Sequence, residues 1–166
     1  MNRRQMVLSA TGLLGMGPAA LRAQAAPFAL SGRTLDGKPY DMAQEKGKVV
    51  LVFFWSTTCA VCRDKMPELR ANYEAWREKA FQIVAVNLDK TLEDLRAYDR
   101  VLSGVVPSRQ RFPWLWRGDA NHRDNFGPVA QAPTSFLLDR KGALVKQVRG
   151  RVAPELWDDI AELVLT

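Results

Sequence analysis

Residues 48–67 read KVVLVFFWSTTCAVCRDKMP. After Lys48 the run is continuously apolar to Trp55 and rich in Val and Phe, the pattern of a strand buried on both faces. From Cys59 the period changes. Met66, Leu69, Tyr73 and Trp76 recur at spacings of three and four, one apolar stripe of a helix. Cys59 and Cys62 stand at the junction of strand and helix, and the chain has no other cysteine.

A C-x-x-C opening a helix has a specific chemical use. The first cysteine lies at the helix N-terminus, where unpaired backbone N–H groups and the helix dipole stabilise a thiolate. That lowers its pKa from about 8.5 and makes Cys59 the attacking nucleophile. The second thiol lies one turn inward, within bonding reach of the first. A purely structural disulfide here would close too small a loop to add much chain-entropy stabilisation. A zinc site needs about four ligands, and the chain offers two cysteines and one histidine, His122. A c-type haem site would need histidine where Arg63 stands. A peroxiredoxin would want an upstream proline and a lone attacking cysteine.

Length and composition suit one globular domain: 166 residues, 47% hydrophobic and 25% charged. The first 25 residues differ from the rest. Arg3 and Arg4 precede a short, broken apolar stretch and then Ala23-Gln24-Ala25, the layout of a cleaved export signal. The paired arginines resemble a twin-arginine signal. The stretch is too short for a membrane span, which needs about 20 apolar residues, so no stable membrane insertion is expected after cleavage. Removing Arg3, Arg4 and Arg22 leaves 21 basic against 18 acidic side chains, a net charge of +3. No dense basic stripe remains for nucleic acid. The expected domains are therefore a signal over 1–25 and one folded unit over 26–166. That unit is expected outside the cytoplasm, in the periplasm or an equivalent compartment, where disulfides persist.

The remaining chain reads as alternating elements. Residues 28–41 suggest a hairpin turning at Asp36-Gly37. Residues 81–88 form a second buried strand pattern, and 92–102 an amphipathic helix capped by Thr91. Residues 103–133 read as irregular. Thr134 to Leu138 and 143–148 read as a hairpin around the turn at 139–142, with a closing helix built on Leu156, Trp157, Ile160, Leu163 and Val164. This order predicts an α/β domain with a parallel core, helices on both faces and antiparallel edge strands added late.

The run VVLVFFWSTTCAVCRDKMPEL resembles the active-site region of thioredoxin-fold proteins. More narrowly, it is similar to exported TlpA/ResA-type thiol–disulfide oxidoreductases. Pro67 matches the proline of the active-site helix, Trp55 an aromatic position before the cysteines, and FGPVAQAPTSFLLDRKGALV the segment carrying a cis-proline. The resemblance implies a thioredoxin-like fold, a central mixed sheet flanked by helices with an N-terminal β-hairpin extension. It implies Cys59 and Cys62 as catalytic residues forming a redox-active disulfide, with no other cofactor and no metal. Ala132, Pro133 and Thr134 would bind substrate backbone beside the cysteines, Pro133 through a cis bond. It implies a reductase of protein disulfides fed by a membrane thiol reductase of the DsbD kind, acting as a monomer. Targets would include apocytochrome c or respiratory copper-site cysteines.

There are departures. Thr58 stands where the family usually has Trp, and Ala60-Val61 separate the cysteines without proline. Lys65 occupies a position often held by an acid, and Phe53 that of thioredoxin's buried acid. Arg63 and Lys65 are expected to be solvated, and His122 to lie on a surface loop rather than relay protons. Trp114 and Trp116 could form a docking patch, or one could pack inside while the other covers a loop. The alternative function is a non-catalytic binder or metallochaperone holding Cu(I) on the same two thiolates.

Overall fold

The computed structural model describes residues 27–165; the expected signal over 1–25 lies outside them. The chain opens with the predicted hairpin. Leu30–Arg33 (β1) and Pro39–Asp41 (β2) pair antiparallel, Gly32 opposite Tyr40. Gly37 in the turn has φ 83°, a left-handed conformation that glycine adopts without steric cost. A 3-10 turn over Met42–Glu45 leads into Val49–Trp55 (β3), then Ala60–Ala75 (α1), Phe81–Asn87 (β4) and Leu92–Ser103 (α2). After a short 3-10 turn come Trp114–Trp116 (β5), Arg123–Asp124 (β6), Thr134–Leu138 (β7), Leu144–Arg149 (β8) and Glu155–Leu165 (α3).

The larger sheet has the order β5-β4-β3-β7-β8. β3 and β4 run parallel, from Val49 opposite Phe81 to Trp55 opposite Asn87, and every residue of both is buried. β7 runs antiparallel to β3, so the sheet is mixed as predicted. Two expectations about the strands are corrected. β7 is an interior strand between β3 and β8, buried throughout; of the late hairpin, β8 alone lies at an edge. Residues 103–133 are not wholly irregular, since Trp114 pairs with Ala85 and Trp116 with Asn87 in a parallel edge strand. Three residues are too few to show a period. They become a strand only because β4 offers an unpaired flank.

Side chains alternate across a strand, and here the alternation separates two cores. Val49, Leu51, Phe53 and Trp55 gather with Ile83 and Ala85, with Cys62, Met66 and Leu69 of α1, Leu95 of α2, and Leu156, Ile160 and Val164 of α3. Val50, Val52 and Phe54 face the other way, toward Leu30, Tyr40, Leu115, Phe126 and Phe136. Helices were expected on both faces. Instead, the buried residues of all three helices share one face, and the small sheet β2-β1-β6 covers the other.

Candidate active site

Cys59 is the residue at which the backbone turns from loop into α1, with φ −79° and ψ 107°. Its Sγ accepts a hydrogen bond from the Cys62 N–H at 3.1 Å, one of the free donors of the first turn. The two sulfurs form a disulfide, with the Cα atoms 5.2 Å apart. Burial separates the pair. Cys62 is fully buried within the helix-side core, while Cys59 is half-buried at its margin.

The loop carrying Cys59 is held from the end of β4 by residues that pattern reading missed. The Thr57 N–H donates to Asp89 Oδ1 at 2.9 Å. Asn87, fully buried, donates its Nδ2 to Asp89 Oδ2 at 2.9 Å and accepts the Asp89 N–H on Oδ1 at 3.0 Å. Trp116 Nε1 donates to the Asp89 carbonyl at 2.8 Å. The only available signal was an Asn-x-Asp at the end of a strand, too common to single out. Arg63, exposed as expected, donates to the Thr57 carbonyl at 2.6 Å.

The Ala132–Pro133 peptide is cis. Thr134 stands opposite Phe54 in the β3–β7 ladder. The proline segment thus reaches the sheet where β3 ends and the cysteine loop begins. Ala132 and Cys59 pack against the same core cluster, and Thr134 Oγ1 donates to the Gln131 carbonyl at 2.8 Å. Pro67 lies within α1 and is exposed, while Trp55 is fully buried, its ring 4.9 Å from that of Trp114 and 5.4 Å from that of Tyr98.

Residues 21–147 match the family model described as the AhpC/TSA family. The chain belongs to that family and, within it, to the thiol–disulfide oxidoreductases of the TlpA/ResA type. It is 30% identical over 126 residues to the thiol-disulfide oxidoreductase ResA of Bacillus thuringiensis subsp. konkukian, covering 75% of this chain and 68% of that one. To the ResA of Bacillus subtilis it is 28% identical over 129 residues, covering 78% and 68%. A thioredoxin-family thiol:disulfide interchange protein from Chlorobium tepidum superposes with a TM-score of 0.65 at 25% identity, covering 87% of this chain and all of that one.

In this oxidoreductase two side chains expected at the surface are buried. Lys65 is 5% exposed, and its Nζ pairs with Glu68 Oε2 at 2.7 Å. Trp157 Nε1 of α3 donates to the other oxygen of Glu68 at 2.5 Å. Burial alone would raise the Glu68 carboxyl, but the hydrogen bonds from Lys65 and Trp157 outweigh it and hold the group below its ordinary range. The lysine is thus neutralised along its own helix rather than solvated. His122 is 8% exposed, and its Nε2 lies 2.8 Å from Asp124 Oδ2. It belongs to the small sheet's packing, not to a surface loop. Both tryptophans in question are half-buried. Trp114 packs against Trp55 on the core side, and Trp116 spends its N–H on the Asp89 carbonyl. Among the described residues no helix is long and apolar enough to cross a membrane.

Proposed function

We propose that this oxidoreductase reduces protein disulfides outside the cytoplasm, with Cys59 as nucleophile and Cys62 as resolving thiol. The observation that carries this reading is the asymmetry of the pair: Cys59 half-buried at the first turn of α1, Cys62 beneath it with no exposed surface. A target sulfur can reach only the first. The Cys59 thiolate attacks one sulfur of the target disulfide, and the other sulfur leaves as thiolate. The Cys62 thiolate then attacks Cys59 Sγ, closes the disulfide and releases the second target thiol. Two electrons pass to the target, and the disulfide is the only redox group the cycle uses. Stabilisation by the helix N-terminus favours the Cys59 thiolate throughout.

In this proposal the backbone around Ala132, Pro133 and Thr134 docks an extended stretch of substrate beside Cys59. Trp55 and Pro67 shape the site from beneath and from the helix. A membrane thiol reductase of the DsbD kind would return the electrons. The targets would be apocytochrome c or copper-site cysteines, and the working form a monomer of residues 26–166.

The test is trapping. Cys62→Ser should accumulate mixed disulfides with protein substrates, and Cys59→Ser should not. Iodoacetamide near neutral pH should modify Cys59 of the reduced protein first. Preferential labelling of Cys62 would reverse the assignment, and stoichiometric Cu(I) binding without disulfide exchange would favour the binder. N-terminal sequencing of the exported protein should begin at Ala26.

A further inference from the structure

A cavity of about 590 Å³ lies apart from the cysteines, bounded by the β1–β2 turn, α1, the end of α2 and the segment before β5. Neither cysteine, nor Trp55, nor Pro133 lines it. Its apolar wall is Leu35, Tyr73, Leu102, Phe112 and Trp114. Its charges are three cations, Lys38, Arg70 and Arg111, against two carboxylates, Asp36 and Asp99.

The carboxylates are already engaged. Asp36 pairs with Lys38 at 2.7 Å and accepts the Thr34 hydroxyl at 2.5 Å. Asp99 pairs with Arg111. Arg70 forms no ion pair among the described residues, although it is only 8% exposed, and Asp99, whose charge acts on it, is paired with Arg111. Its guanidinium sits 6.0 Å from the centroid of the Trp114 ring. Burial lowers the Arg70 pKa from its ordinary value, the mark of a cation short of compensation. A guanidinium offers five N–H donors in a fixed fork and does not deprotonate in proteins. Buried charges are otherwise paired. The surplus charge, the unspent donors and the apolar wall converge on one space.

We propose that this cavity binds a small organic carboxylate, its charged end on Arg70 and its aromatic or aliphatic body against Leu102, Phe112 and Trp114. The fork of the guanidinium matches a carboxylate bidentately. The volume lies within the usual range of small-molecule sites, about 300–1,000 Å³. An inorganic anion would satisfy the charge but leave the apolar wall uncovered.

The experiment is calorimetric titration of the purified protein with indole-3-acetate, benzoate and octanoate, each beside its neutral amide, and with inorganic phosphate. At least one carboxylate should bind saturably, roughly tenfold or more tightly than its amide. Arg70→Met keeps the side chain's bulk and removes its charge. It should weaken the carboxylate by a similar factor and leave the amide unchanged. The proposal is overturned if no carboxylate binds at millimolar concentration. It is overturned equally if the amide binds as tightly, or if phosphate binds more tightly than every carboxylate. The carboxylate–amide comparison uses the unaltered protein, so the result stands even where the variant fails to fold.

Discussion

Replacing Asp124 by Asn should remove a pH-dependent part of the protein's stability. Asp124 belongs to β6, the strand that pairs with β1 through Leu30. Its side chain is 4% exposed and accepts Arg117 Nε and Nη2 at 2.9 and 2.8 Å, and the Phe126 N–H at 3.1 Å. His122 Nε2 completes the shell at 2.8 Å. Burial works against ionisation here. The hydrogen bonds from His122 and Arg117, with the charge of Arg117, more than offset it and bring the carboxyl from 3.8 down to about 2. That separation corresponds to about 2.5 kcal/mol favouring the folded, ionised form. Because the folded pKa is the lower one, this contribution is complete above the ordinary carboxylate pKa. It is lost as pH falls from about 4 toward 2. Other carboxylates also titrate in this range, so the useful quantity is the difference between parent and Asp124→Asn. Urea unfolding of both proteins between about pH 6 and pH 2 measures it. The parent's advantage should be constant at the upper end and shrink by about 2 kcal/mol at the lower. An advantage that stays constant across the whole range would refute the reasoning, since it would mean that Asp124 titrates alike in folded and unfolded chains.

Three further outcomes are expected. Leu69→Ala, at a fully buried position on α1, should cost about 2–5 kcal/mol in urea unfolding, and a loss below about 1 kcal/mol would contradict the packing of α1 on the sheet. Asp89→Ala leaves the Thr57 N–H without its acceptor; amide exchange at Thr57 and Thr58 should accelerate while α3 keeps its protection, and equal acceleration everywhere would point to global destabilisation instead. Trp157→Phe keeps a ring but removes the donor to Glu68. It should cost about 1–2 kcal/mol and loosen α3 in exchange measurements, with no change if the bond contributes nothing.

The parts legible in the sequence are those carried by local pattern. The uninterrupted VVLVFFW run, the stripe Met66, Leu69, Tyr73 and the turn glycines each report on a few neighbouring residues, and each matches an observed element. Thr91 does cap α2, accepting the Asp94 N–H at 3.3 Å. The cysteine pair was legible for the same reason. What escaped depends on partners far along the chain. Lys65 reads as solvated because nothing beside it reveals that Trp157 of α3 will close over its carboxylate partner. His122 lies inside because β6 pairs with β1, more than ninety residues away. Arg70 occupies an ordinary helix position, and only the meeting of α1 with the β1–β2 turn and α2 turns it into a buried cation. Asn87 and Asp89 acquire their role from a loop some thirty residues earlier.

The two-sided burial of β3 also bears on how such a chain can diverge. Phe53 and Trp55 share a core with Cys62, whereas Val52 and Phe54 belong to the opposite cluster, with Leu30, Tyr40 and Phe126. One strand thus serves two separate tenants through alternate residues. Drift at even-numbered positions taxes the extension built on residues 28–41 and 123–126. Drift at odd-numbered positions is felt by the wall against which the Cys62 sulfur rests. A lineage could remodel the outer layer, and any recognition it carries, while the chemistry on the opposite side of the same seven residues stays where it was.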